Sequence, residues 1–423
     1  MRRCDSKFAA IPLLLAWTVA SAPARADVTL YDANNWRIFT SGRGEGHYQL
    51  TLGDGDPVSH NRLVGGQIQN TVSQDQDNHL VDSRIRSGFV AGQIGLGAVN
   101  KINDNLEAKG FFGVWINGID NSKGTESVKG ADLREAWGSL SGPAGTFVFG
   151  RAFSIFASAS GEVNMYAYEF AVGHPCLVDA SGIACGGVGA GNLYAGYNAQ
   201  LRYNSPRLAG FQLQASIEDP SSLPDYHITR VPRFEGEANY ELPFGSDGKV
   251  IVKGQAMEQE LGKLNATRDG VVTTSAWGAL GAGRIEVGGF KLGGGAWFGK
   301  GLGTHTALQQ DDQAKPLAHD LPGGNFPGDE LRRFRGVFGN VVFGYHGTAI
   351  AVGGGGAFVQ ETVADAAALN TSLLKQNTEY HAVLTQRIGS VVLSAEYMHW
   401  NSQWYLGETQ VLTFVGGGAV FVW

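Results

Sequence analysis

Hydrophobic and polar residues alternate with a period of two along much of this chain. In Arg37–Thr51 the odd positions Arg37, Ser41, Arg43, Glu45, His47, Gln49 and Thr51 are polar, and the even positions include Ile38, Tyr48 and Leu50. Phe211–Glu218 sets Gln212, Gln214, Ser216 and Glu218 against Phe211, Leu213, Ala215 and Ile217. Arg233–Leu242 sets Arg233, Glu235, Glu237, Asn239 and Glu241 against Phe234, Ala238, Tyr240 and Leu242. Successive side chains of a strand point to opposite faces, so each stretch predicts a strand with one wet and one apolar face. The same reading predicts sixteen strands, over 36–52, 82–98, 106–118, 132–141, 145–152, 197–205, 210–218, 233–241, 248–257, 274–282, 285–299, 333–345, 348–360, 378–388, 391–400 and 410–423. In 284–299 and 341–359 glycine blurs the two faces. Short links such as 141–145 and 389–390 alternate with long ones such as 53–81 and 301–331.

Two architectures alternate in this way: a sandwich with a solvated outside and a membrane barrel with a wet inside. The ends of the chain choose between them. The last strand stops on Trp423, with Phe421, Ala419 and Val415 at every second place behind it. That suits a closing strand with one face in lipid and a terminal ring at the boundary. The first residues have a basic start, an apolar run over Ile11–Ala20 and the small-residue pattern Ala24-Arg25-Ala26. They read as a cleaved secretory leader over 1–26. No later run approaches ~20 apolar residues, so helical spans are not expected. The expected fold is all-β, a 16-stranded antiparallel transmembrane β-barrel over 27–423, and its simplest use is a pore.

Composition fits this picture. The mean hydropathy of −0.10 is that of a chain in which only alternate residues meet lipid. The formal charge is −7, and the leader takes four basic residues and one acid with it, leaving −10. An acidic chain argues against a nucleic-acid partner. Of three cysteines, Cys4 lies in the leader. Cys176 and Cys185 read as a loop-closing disulfide in an oxidising compartment, or else as two free thiols. Their spacing fits no zinc pattern. No HExxH, P-loop or GxSxG signature is present, so an enzyme is not expected, nor is a metal or a cofactor. The long link over 152–197 shows no strand pattern, and a loop of that length inside a compact fold is usually functional. In a barrel the place open to it is the lumen.

Several motifs then resemble one family. LREAWGSLSGPAGTFVFGRAF (Leu133–Phe153) resembles the hairpin of general diffusion porins that runs into their constriction loop, and LRYNSPRLAGFQLQASI (Leu201–Ile217) resembles the strand that follows. SRIRSGFVAGQIG (Ser83–Gly95) is similar to an early strand of that family, and DVTLYDANNW to its mature start. The resemblance implies a homotrimer in the outer membrane of a Gram-negative bacterium, with a long third loop folded inward as the constriction. It implies a basic wall of Arg86, Arg134 and Arg202, extended by Arg43 and Arg151, facing loop acids Glu162, Glu169 and Asp179. VNMYAYEFAVGHP replaces the family's acidic loop motif, and Trp423 replaces its terminal phenylalanine. Phe421 and Trp423 are the expected signal to the barrel-assembly machinery. Outer-membrane lipid, lipopolysaccharide, ions and small hydrophilic solutes are the other expected partners. A substrate-selective porin, for a sugar, an organic acid or phosphate, is the alternative, and a non-transport barrel such as an adhesin a weaker one.

Overall fold

A computed structural model describes residues 27–54, 63–64, 67–68, 79–116, 131–175, 184–220, 228–264, 267–302, 331–367, 373–405 and 407–423. The leader over 1–26 lies outside them, as does Asp179. Sixteen strands form the wall: β1 (Trp36–Asp54), β2 in two halves (His79–Arg86 and Gly92–Asn103), β3 (Leu106–Ile116), β4 (Ala131–Gly142), β5 (Gly145–Phe153), β6 (Tyr197–Asn204), β7 (Phe211–Glu218) and β8 (Arg233–Phe244). β9 (Gly248–Leu264), β10 (Val271–Val287), β11 (Phe290–Lys300), β12 (Arg333–Tyr345), β13 (Thr348–Gln360), β14 (Leu374–Ile388), β15 (Val391–Trp404) and β16 (Thr409–Val422) complete it. Every strand pairs antiparallel with its sequence neighbours, and β16 pairs with β1 from Val422↔Arg43 to Leu412↔Gly53. The ring is closed; among the described residues the half His79–Arg86 pairs with β1 alone, and Gly92–Asn103 pairs with both β1 and β3.

Closure is completed by the C-terminus itself. The amide of Trp423 donates to Gly42 O at 3.1 Å, and the amide of Gly42 donates to Trp423 O at 3.0 Å. The rings of Phe421 and Trp423 stack at 5.7 Å on the outside. Gly42 permits this contact, because a Cβ there would lie 2.7 Å from the carbonyl oxygen of Gln93. Beside this seam, a short hairpin of Val28–Ala33 pairs with the start of β1. It turns at Asn34 and Asn35, both at positive φ (54° and 65°), as a tight two-residue hairpin requires.

Two features differ from the sequence reading. The turn expected near 283–284 lies at 288–289, because alternation continues through Arg284 and Glu286 inside and Ile285 and Val287 outside. The link after β5 also carries regular structure, a helix α1 (Ser158–Tyr168). It packs along the inner side of β10–β14. Outward positions are apolar almost throughout, with Tyr48, Ile85, Phe112, Leu201 and Phe343 all exposed.

Candidate functional site

The described residues between β5 and β6, 154–175 and 184–196, lie against the inner side of the wall, and their backbone polar groups need partners there. The wall supplies them. On the outbound arm, the amide of Phe156 donates to Glu235 of β8 at 2.6 Å, and Ser154 Oγ donates to Glu218 of β7 at 2.8 Å. At α1, Arg284 of β10 donates to Glu162 O at 2.6 Å, and Lys253 of β9 bonds the Glu162 carboxylate. Beyond α1, Arg43 of β1 donates to Glu169 O at 2.9 Å. The amide of Phe89, in the gap between the halves of β2, donates to Ala171 O at 2.8 Å. The amides of Val172 and Gly173 both donate to one carboxylate oxygen of Glu396 on β15, at 3.0 and 2.9 Å, and Gln49 of β1 donates to Gly173 O. On the return arm, Asn377 of β14 donates to Gly189 O and Trp297 of β11 to Gly191 O.

Apolar packing reinforces these bonds. Phe156, Val163 and Leu193 of the loop form one core with Met257, Leu280, Trp297 and Phe338 of the wall. His174 stacks on Trp400 at 4.0 Å and is fully buried. Burial, with Arg86 nearby, holds its imidazole down to a pKa of about 3, so it is neutral in place. Inward glycines mark where the loop backbone touches the wall. A Cβ on Gly355 of β13 would lie 2.4 Å from Ala190 O, and one on Gly191 (φ +110°) would lie 2.9 Å from Gly355 Cα.

The five arginines expected in the basic wall separate into four situations. Arg43 and Arg86 face inward but are sealed beneath the loop, at 6% and 3% exposure. Arg43 is bound by Glu45 at 2.7 Å, and Arg86 lies 3.8 Å from Asp82. Arg202 faces inward and donates to Phe153 O at the root of the loop. Arg134 remains partly open. It pairs with Asp132 at 2.8 Å, donates to the Tyr194 hydroxyl at 3.2 Å and covers the ring of Trp115 at 4.7 Å. Arg151 pairs with Ala136 and Ala199, between Phe149, which is exposed outside, and Phe153, which packs on Tyr197, and it follows Gly150 at φ 111°. Among the acids, Glu162 is half exposed on α1. Glu169 lies among Arg43, Arg387 and Lys291, and burial nonetheless raises its pKa. Cys185 is buried and disulfide-bonded, and Cys176 lies outside the described residues.

Sequence reasoning missed Glu396, Glu235 and Glu218 as loop holders. Glu235 stands on the polar face of an alternating segment, yet a periodic pattern does not separate a carboxylate that meets water from one that binds buried amides.

The comparisons agree with this geometry. A family model for Gram-negative porins matches residues 13–420. The chain belongs to the Gram-negative porins. It forms an outer-membrane channel for passive diffusion. Among solved structures it is similar to the outer membrane channel DcaP of Acinetobacter baumannii, at 16% identity and a TM-score of 0.63, covering 93% of this chain and 99% of that one. It is also similar to the anion-selective porin of Comamonas acidovorans, at 12% identity and a TM-score of 0.58, covering 92% of this chain and 100% of that one. OmpF of Salmonella typhi, in complex with daunomycin, matches at 11% identity and a TM-score of 0.56, covering 93% of this chain and 100% of that one. No curated protein sequence matches the chain.

Proposed function

We propose that this porin passes ions and small hydrophilic solutes along the β3–β6 side of its lumen, with the segment 154–196 as the constriction. The observation that carries the reading is the set of loop anchors on β7–β11, β14, β15, β1 and the gap in β2, which draws the loop toward those strands, against the bond of Arg134 to Tyr194 on the β3–β6 side. The opposite strip is half exposed and mixes charge with aromatic rings. Lys109 lies 5.3 Å over Trp137, Trp137 packs on Phe111, and Arg134 lies between Asp132 and Trp115. Such a strip gives a dipolar solute both ionic and ring contacts.

Arg134 is the cation of the expected set that a passing ion meets. Replacing it with glutamine is expected to shift the reversal potential of single channels toward cations, and more than Arg86→Gln does, since Arg86 is covered. Equal shifts would place the passage elsewhere, and folded protein giving no conductance steps would remove the reading altogether. The aromatic strip also favours a second reading, selectivity for a planar or anionic organic solute. Saturable block of the ion current by such a solute would support it, and linear permeation would reject it. We further propose that three copies assemble, as does one structural neighbour, the trimer form of Vibrio cholerae OmpT (13% identity, TM-score 0.52, covering 92% of this chain and 100% of that one). A transport role, and not catalysis, and a Cys176–Cys185 bond belong to the same reading.

A further inference from the structure

The outer wall holds a charged cavity that diffusion through the lumen does not use. At the long-loop ends of β10–β14 a half-open cavity of about 850 Å³ is lined by Lys300, Arg333, Arg335 and Lys375, with Trp277 and Phe298 among its apolar surfaces. Strand register accounts for the cluster. Lys300 pairs directly with Arg333, and Arg335 is flanked by Phe298 on one side and Phe358 on the other. Phe298 and Trp277 are exposed on the outer face, so their cross-strand partners face outward too. The guanidinium of Arg335 lies 5.8 Å from the centre of the Phe358 ring, and the ammonium of Lys375 lies 5.9 Å from that of Tyr405. Among the described residues, no carboxylate lies within ion-pair distance of any of the four cations.

Their height on the barrel says what they meet. Outward residues of β12 run Tyr345, Phe343, Val341 and Val337, and then change abruptly to Arg335 and Arg333. At ~3.3 Å per residue and a tilt of ~40°, Arg335 stands about 25 Å above Tyr345, which is the height of the lipid-facing band of such barrels. The cations therefore stand at the upper rim of the apolar band, on the long-loop side, with apolar wall continuing below them. A ligand complementary to this surface carries negative charge on a headgroup and hydrocarbon beneath it. Phosphate is the group that clustered arginines and lysines hold best, because several N–H donors converge on its oxygens.

We propose that this cavity binds the phosphorylated headgroup of a lipid in the leaflet on the long-loop side, with its acyl chains lying on Phe298 and Val337. A second protein copy would need a complementary acidic outer surface at the same height. A free phosphate would have no use for the aromatic and apolar floor.

The proposal rests on the outer-membrane placement of the barrel. Its test is native mass spectrometry of the detergent-purified, folded protein titrated with diphosphorylated lipid A. Binding is expected to weaken at least tenfold in an Arg333→Gln/Arg335→Gln variant and similarly in Lys300→Gln/Lys375→Gln. It is expected to be lost for enzymatically dephosphorylated lipid A. Unchanged affinity in both variants, or equal affinity for the dephosphorylated lipid, would overturn the proposal. Displacement of lipid A by an equimolar amount of inorganic phosphate would assign the site to the free anion and overturn it too. The same preparations are recorded in planar bilayers, where unaltered conductance of the variants shows that the channel itself is intact.

Discussion

Two stretches of the wall take opposite treatment on their inner faces. On β7 and β8 the inward residues are Ser216, Glu218, Arg233, Glu235, Glu237 and Asn239, all buried and polar. On β11–β13 they are mostly apolar, with Trp297, Phe338, Val342, Ala351 and Ala357 buried, Gly293 and Gly355 among them, and Asn340 and Lys291 as polar exceptions. Both stretches are covered by the same loop. The first meets its outbound arm near the root, where the turn leading into α1 offers amides that need acceptors. The second meets the side of α1, whose helix hydrogen bonds are already made, and the return arm, whose Gly191 carbonyl takes a bond from Trp297. The inner polarity of a barrel strand thus follows the hydrogen-bonding state of whatever lies against it, and not simply the presence of water.

The comparison breaks most visibly at Gly355. A side chain there meets Ala190 O at 2.4 Å and Val337 O at 2.9 Å, both backbone atoms. Gly355→Val is therefore expected to push the return arm off the wall, at a cost typical of overpacking, ~1–3 kcal/mol or more. Single-channel conductance should rise severalfold, and limited proteolysis should cut within the loop. The matched control is Gly281→Val on β10, which faces outward, where an added Cβ would meet nothing within 4 Å. If Gly355→Val folds to a heat-modifiable barrel with unchanged conductance and protease resistance, the loop is not held by close backbone approach.

The same contrast sets what can be read from the sequence. Arg233–Leu242 and Phe211–Glu218 alternate cleanly because one face is polar for the loop's amides and the other apolar for lipid, so strands and faces are both legible. Along 292–299 and 341–359 both faces are largely apolar or glycine, since Trp297 and Val342 point at the loop core while Phe298, Val341 and Phe343 point at lipid. Periodicity fades there, and it sets the turn at 288–289 several residues early. The charged positions are legible but their duties are not. Arg43 and Arg86 stand on the predicted inner face, and only the folded loop shows that they are covered. Arg151 follows a glycine at positive φ at the strand end, where a motif match carries no information about facing.

At the polar side of the comparison, Glu396 is the sharper probe. One oxygen of its buried carboxylate accepts both the Val172 and Gly173 amides. Glu396→Gln keeps the shape but removes the charge from both bonds. Charge-assisted bonds of this kind are worth about 1.5–3 kcal/mol each at most, and the neutral amide retains part of that. The expected result is a conductance near that of the parent with more frequent brief openings to a wider state, together with faster hydrogen exchange around 171–174. Trp400→Phe, which keeps an apolar platform under His174, should disturb the loop less. Exchange rates that rank the two the other way would assign the hold to stacking and not to the carboxylate.

The smallest effect concerns protonation of His174. Docked against Trp400 it is neutral, with a pKa of about 3, whereas a free imidazole titrates near 6.5. A depressed value means that the released loop binds a proton that the docked loop refuses. Docking is therefore at full strength above about pH 6.5 and weakens steadily as the pH falls toward 3. Glu169 works against this trend. Its raised pKa means that the docked loop takes a proton there more readily than the released one, so its contribution is present at low pH and is lost as the pH rises through the raised value. The two opposing slopes leave a modest net loosening on acidification. Recordings between pH 7 and 4 are expected to show rising open-state noise in the parent, a flatter response in His174→Gln and a steeper one in Glu169→Gln. A His174→Gln channel with the parent's pH response would mean that the imidazole is not the group that senses acid, and that the carboxylates of the wall are.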